Sequence, residues 1–135
     1  NARFGDPETQ VLMPMIKGDL LCVLEAAAKG DLGGCAVEIH DGACVGVVLA
    51  SGGYPGSFVK GKPISGLEDL EPETMVFHAG TKMAEGRLVT DGGRVMAIVR
   101  RGGSIAEAVD KVYAEIGKVH FDDMHFRKDI ARRAL

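Results

Sequence analysis

An arginine directly behind two glycines, Gly92-Gly93-Arg94, has the makings of a phosphate site. Glycines let backbone N–H groups approach an anion, and a guanidinium beside them adds a planar fork of donors. The plain alternative is a hairpin turn followed by an arginine that points to solvent, and the spacing leaves both open. A second group is Asp6-Pro7-Glu8. The aspartate is placed to cap a helix, the proline suits the first helical position, and the glutamate suits the positive end. Those roles account for both carboxylates, yet a helix start is also where phosphates or an amine meet polar groups. The run from Gly52 to Gly56 is too short and wrongly patterned for a phosphate loop or a dinucleotide fingerprint, so it reads as a structural turn. Cys22, Cys35 and Cys44 are odd in number, lie in apolar surroundings and lack the paired spacing of a disulfide framework or zinc site. They are expected to be buried thiols in a reducing cytosol. His40, His120 and His125 show no metal-ligand spacing, and Met75, Met83 and Met96 read as core filler. Arg127, Lys128, Arg132 and Arg133 make a basic end that reads as a solvated face.

These groups need elements to hold them. With 135 residues the chain has room for one domain and a real core. Apolar residues make up 46% and charged residues 26%, the balance of a globular protein. A net charge of -3 gives no reason to expect nucleic acid as a partner. No apolar run approaches the roughly 20 residues that span a bilayer, and the polar start is no signal peptide, so a cytoplasmic protein is expected. The N-terminal third reads as helical, with Pro14 ending the first helix and a second helix over 19–29 stopped by Gly30. Leu20, Val23, Leu24, Ala27 and Ala28 share one face of that second helix. Residues 44–50 predict a buried strand, paired with 36–39 across the turn dipeptide Asp41-Gly42. Further strands are predicted at 74–78, at 82–84 and 87–90 around Glu85-Gly86, and centrally at 94–100. Ser104 and Glu107 form a capping box before a helix whose apolar positions are Ile105, Ala108, Val109, Val112, Ile116 and Val119. A last extended stretch follows at 124–126. The sum is an α+β fold: helices first, a mainly antiparallel sheet, then one long packed helix.

Several blocks of the chain together carry a resemblance. They are Asn1-Ala2-Arg3-Phe4-Gly5-Asp6-Pro7-Glu8, Ala50-Ser51-Gly52-Gly53-Tyr54-Pro55-Gly56, Phe77-His78-Ala79-Gly80-Thr81 and Thr90-Asp91-Gly92-Gly93-Arg94-Val95. His120-Phe121 and Arg127-Lys128-Asp129-Ile130 complete the set. In this order and spacing, over essentially the whole chain, they resemble the C-terminal portion of glycinamide ribonucleotide synthetases. The resemblance implies residues 1–32 as the end of an ATP-grasp domain with linking helices, and 33–135 as a small barrel-like C-terminal ligase domain.

The family joins glycine to 5-phosphoribosylamine with ATP through glycyl phosphate, in purine biosynthesis. Carried over, Asn1 matches a magnesium (or manganese) ligand and Arg3 a catalytic arginine suited to acyl phosphate or phosphoryl oxygens. Asp6, Glu8, His78, Gly80, Thr81, Gly92, Gly93 and Arg94 become candidates for substrate binding. The partners implied are glycine, 5-phosphoribosylamine, ATP and the remainder of the ligase chain. The carboxylate that precedes the first block in the family, and the groups that cradle adenine and phosphates, lie outside these residues. The chain alone is therefore expected to be inactive. The alternative is a non-catalytic interaction or substrate-cleft domain, which predicts an exposed apolar patch.

Overall fold

The computed structural model describes residues 3–135. Its centre is a four-stranded antiparallel sheet in which the most β-branched runs of the sequence lie innermost. Strand β3 (Ala43–Ser51) pairs with β7 (Arg94–Gly102) along its length, Val47 opposite Ile98 and Val45 opposite Arg100. Strand β4 (Met75–His78) flanks β7, and β8 (Met124–His125) flanks β3, giving the order β4-β7-β3-β8. Two short ribbons stand apart: β1 (Ile16–Lys17) with β2 (Glu38–Ile39), and β5 (Thr81–Ala84) with β6 (Arg87–Thr90). The sheet does not close on itself, so the expected barrel-like form is an open sheet with attached ribbons.

Helix α3 (Ile105–Ile116) covers one face of this sheet. Ser104 caps it by accepting from Glu107 N–H at 3.2 Å, while Glu107 Oε2 accepts from Gly103 N–H at 2.7 Å, one residue before the expected box partner. Its apolar stripe, Ala108, Val112 and Ile116, meets Val45, Val47, Leu49, Ile98 and Phe121 to form the core. Glu115 is buried on the same helix. Its carboxylate accepts from Glu71 N–H and the Thr74 hydroxyl, each at 2.9 Å, and pairs with Lys118. Burial alone would raise its pKa, but these donors hold it below the ordinary glutamate value.

The N-terminal elements depart from the sequence reading in three ways. Helix α1 (Thr9–Leu12) starts at Glu8, so Asp6 is not its cap; a 3-10 turn with Pro14 follows. Residues 38–39 pair with β1 rather than folding back on β3. Helix α2 (Leu20–Lys29) stops at Gly30 in the left-handed region as expected, but Asp19 lies just before it as its cap, accepting from Leu21 N–H and Cys22 N–H, and none of its residues is buried. Leu21 is 73% exposed, and Leu32, Val37 and Ile39 nearby are at least half exposed. No other described element makes an extended contact with α2, and much of its apolar face, Leu21 and Leu24 above all, is open to solvent. The expected buried thiols are corrected as well: Cys22 is exposed, and Cys35 and Cys44 are half-buried.

Candidate functional site

The β4–β5 connection and the turn before β7 touch one another, and this contact organises the candidate residues. Gly80 N–H donates to Arg94 O at 2.9 Å, and Asp91 N–H donates to Gly80 O at 2.7 Å. A Cβ on Gly80 would stand 2.5 Å from Gly92 Cα, so only glycine permits this approach. Ser51, buried at the end of β3, holds the turn from behind. Its N–H donates to Gly93 O and its hydroxyl to Gly92 O, both at 2.8 Å. Tyr54 from the 52–56 loop packs on Gly93, where a Cβ would meet the ring at 2.2 Å. His78 and Thr81 flank the contact, with Nδ1 and Oγ1 3.1 Å apart.

Arg94 leaves this turn toward solvent and meets the N-terminal segment. Its Nη2 lies 2.9 Å from Asp6 Oδ2, and its Nη1 donates to the Asp6 carbonyl at 3.5 Å. The other Asp6 oxygen accepts from Gln10 Nε2 at 3.0 Å. Glu8 folds back, its Oε1 accepting from Gly5 N–H at 2.9 Å, and Thr9 Oγ1 donates to Gly5 O.

Two clefts adjoin at the Asp6–Arg94 pair. One, of about 350 Å³, is lined by Arg3, Phe4, Asp6, Gln10, Phe77 and His78 among others. The second, of about 320 Å³, is lined by Val48, Ala50, Tyr54, Arg94, His125, Phe126 and Arg127. Arg127 is engaged by Asp129 through two donors at 2.8 and 2.9 Å. Beside the turn, Asp91 lies between Lys82 and Lys60, at 3.2 and 3.6 Å; the hydrogen bond from Lys82 in particular holds its carboxyl below the usual range. A more spacious cleft of about 530 Å³ lies at the other end of β7, lined by His40, Asp41, Glu73, Arg100, Arg101 and Lys111 among others. Its cations Arg100 and Lys111 pair with Glu73 and Glu107, and it contains none of the sequence candidates.

The described candidates thus fall on one side of the molecule: Arg3, Asp6 and His78 in the first cleft, Arg94 in the second, and Gly80, Thr81, Gly92 and Gly93 in the wall between. Glu8 supports the segment carrying Asp6 and is not among the lining residues of either cleft. Asn1, the expected metal ligand, lies outside the described residues. Among the described residues there is no cluster of three or more His, Cys, Asp or Glu side chains that could hold a metal ion. Sequence reasoning named none of Ser51, His125 and Arg127 as site candidates. Ser51 and Arg127 fall within the blocks that carry the resemblance, but no local pattern gives any of the three a role, because their neighbours are distant along the chain.

An α+β domain that sets an arginine-bearing glycine turn beside an N-terminal polar segment is matched by a known family. Residues 44–133 match the phosphoribosylglycinamide synthetase, C domain, family, and the chain belongs to it. The phosphoribosylamine–glycine ligase of Halalkalibacterium halodurans is 50% identical over 135 residues, covering 100% of this chain and 31% of that protein. A bifunctional purine biosynthetic protein of Pichia angusta is 44% identical, covering 100% of this chain and 17% of that protein. The crystal structure of phosphoribosylamine–glycine ligase from Thermotoga maritima superposes with a TM-score of 0.81 at 36% identity, over 94% of this chain and 31% of that one. The chain spans about a third of the length of the ligases it matches.

Proposed function

We propose that this chain is the C-terminal part of a ligase that joins glycine to 5-phosphoribosylamine at the expense of ATP, in purine biosynthesis. The observation that carries the reading is 50% identity over all 135 residues to a protein named for that activity. Residues 1–32 form the end of an ATP-grasp domain with its linking helices, and 33–135 the ligase domain proper. The uncovered apolar side of α2 supports this division, since an amphipathic helix requires something to pack on.

In this reading the glycine carboxylate takes the terminal phosphoryl group of ATP, ADP leaves, and the ribosylamine nitrogen attacks the acyl carbon to expel phosphate. Asn1 serves the magnesium or manganese ion on the nucleotide phosphates, and that ion offsets charge on the transferring phosphoryl group. Arg3 steadies the acyl phosphate. Arg94, with the Gly92-Gly93 turn behind it, receives the ribose phosphate, while Asp6, Glu8, His78, Gly80 and Thr81 shape the rest of the pocket. The Asp6–Arg94 pair supports this role, because both groups are about half exposed and ready to exchange one another for ligand. The protein acts in the cytoplasm.

The test is ADP release from magnesium–ATP in the presence of glycine and 5-phosphoribosylamine. The chain alone is expected to release none, and release is expected when the ATP-grasp part of the ligase is supplied. Turnover by these residues alone contradicts the reading.

A further inference from the structure

Cys22 lies in the first turn of α2 and Cys35 in the 31–37 loop that leads into β2, and their sulfurs stand 2.9 Å apart, in hydrogen-bond contact. Cys35 Sγ also donates to Cys22 O at 3.6 Å, so the two side chains are already turned toward each other. A disulfide needs sulfurs at about 2.05 Å, a closure of under about 1 Å. The surroundings permit that movement, because no residue of α2 is buried and residues 31–34 are exposed.

We infer that Cys22 and Cys35 form a thiol modification site that low-molecular-weight disulfides oxidise to an intrachain disulfide. Cys22 is the more exposed thiol and meets the oxidant first. Its thiolate attacks one sulfur of the small disulfide, forming a mixed disulfide and releasing one thiolate. Cys35 then loses its proton and attacks the Cys22 sulfur, releasing the second. Two cysteine thiols are oxidised by two electrons, and one small disulfide is reduced to two thiols. The Cys35 thiol is held above its ordinary pKa by the hydrogen bond with Cys22, then by burial. Cys44, half-buried in β3 with its thiol also pushed up by burial, takes no part.

The product ties the start of α2 to the chain entering β2, across thirteen residues that otherwise have little packing. A cross-link of that span removes freedom chiefly from the unpacked state of the loop and helix.

Peptide mapping of the purified protein after incubation with oxidised glutathione tests this. Trypsin cuts after Lys17, Lys29 and Lys60, which puts Cys22 on one peptide and Cys35 with Cys44 on the next. The expected result, before reduction, is one linked pair of these peptides, two hydrogens lighter than their sum, present in Cys44→Ser and absent in Cys35→Ser. Amide hydrogen exchange across Leu20–Lys29 is expected to slow several-fold on oxidation and recover with dithiothreitol. Glutathione retained on Cys22 without closure, a link lost in Cys44→Ser, or no oxidation at all overturns the inference. A second digestion that cuts after Glu38 separates Cys35 from Cys44, so the wild-type map then decides even if a variant fails to fold.

Discussion

At the scale of single residues, the decisive question is what Arg94 is for. An ion pair as exposed as Arg94–Asp6 contributes about 0.2–1 kcal/mol to stability. Arg94→Ala is therefore expected to cost less than about 1 kcal/mol in a urea melt, so a loss of the proposed ligand binding in that variant would not be a loss of fold. Glu115 behaves in the opposite way. It is buried and accepts from three partners, so Glu115→Gln is expected to cost about 2 kcal/mol, the penalty for disturbing a buried acceptor set. The pH dependence follows from the direction of its shift. Its folded pKa lies below the ordinary value of 4.5, so the unfolded chain binds the proton more readily. The stabilisation is present above about pH 4.5 and is lost as pH falls through the lower, folded value. Denaturation midpoints between pH 7 and pH 3 are expected to fall more steeply for the wild type than for Glu115→Gln; parallel curves contradict this assignment.

At the scale of elements, the site rests on a backbone contact rather than on side chains. A methyl group at Gly80 meets Gly92 backbone at 2.5 Å, so Gly80→Ala is expected to cost about 1–3 kcal/mol, readable as a lower thermal midpoint. Helix α2 gives the contrasting case. Leu21→Glu on its uncovered face is expected to change stability by under about 0.5 kcal/mol while weakening association with the ATP-grasp part in a pull-down. These elements also mark what the sequence could say. The Gly30 stop of α2, the α3 start, the Glu85-Gly86 turn and the two long core strands follow from local chemistry, and each was legible. The β1–β2 pairing was not, because two-residue strands carry no periodicity and Ile39 finds Ile16 across more than twenty residues. Nor was the sheet's open form, which depends on register and twist rather than on composition. Asp6 illustrates the same limit within the site. Its position suggested a cap, but a guanidinium 88 residues away outcompetes local N–H groups for the carboxylate. The blocks that carry the family resemblance did identify most residues that meet in the two clefts, although no local pattern explains why they meet.

At the scale of the whole molecule, the chain has one well-packed half and one half with an uncovered surface. Sheet and α3 share a core of residues almost without solvent contact, whereas α2 and its neighbouring loop present leucine, valine and isoleucine to solvent. That asymmetry accords with a chain covering 31% of its relatives, whose proposed catalytic centre draws on residues beyond these. The Gly92-Gly93-Arg94 turn is proposed to receive a ribose phosphate, with the nucleotide bound elsewhere in the ligase. Calorimetric titration of the purified chain with glycinamide ribonucleotide, and separately with magnesium–ATP, tests this. No heat is expected from magnesium–ATP, and ribonucleotide binding is expected at roughly 1 mM, worth about 4 kcal/mol, and absent in Arg94→Ala. Ribonucleotide binding unchanged in Arg94→Ala, or micromolar binding of ATP, would contradict it.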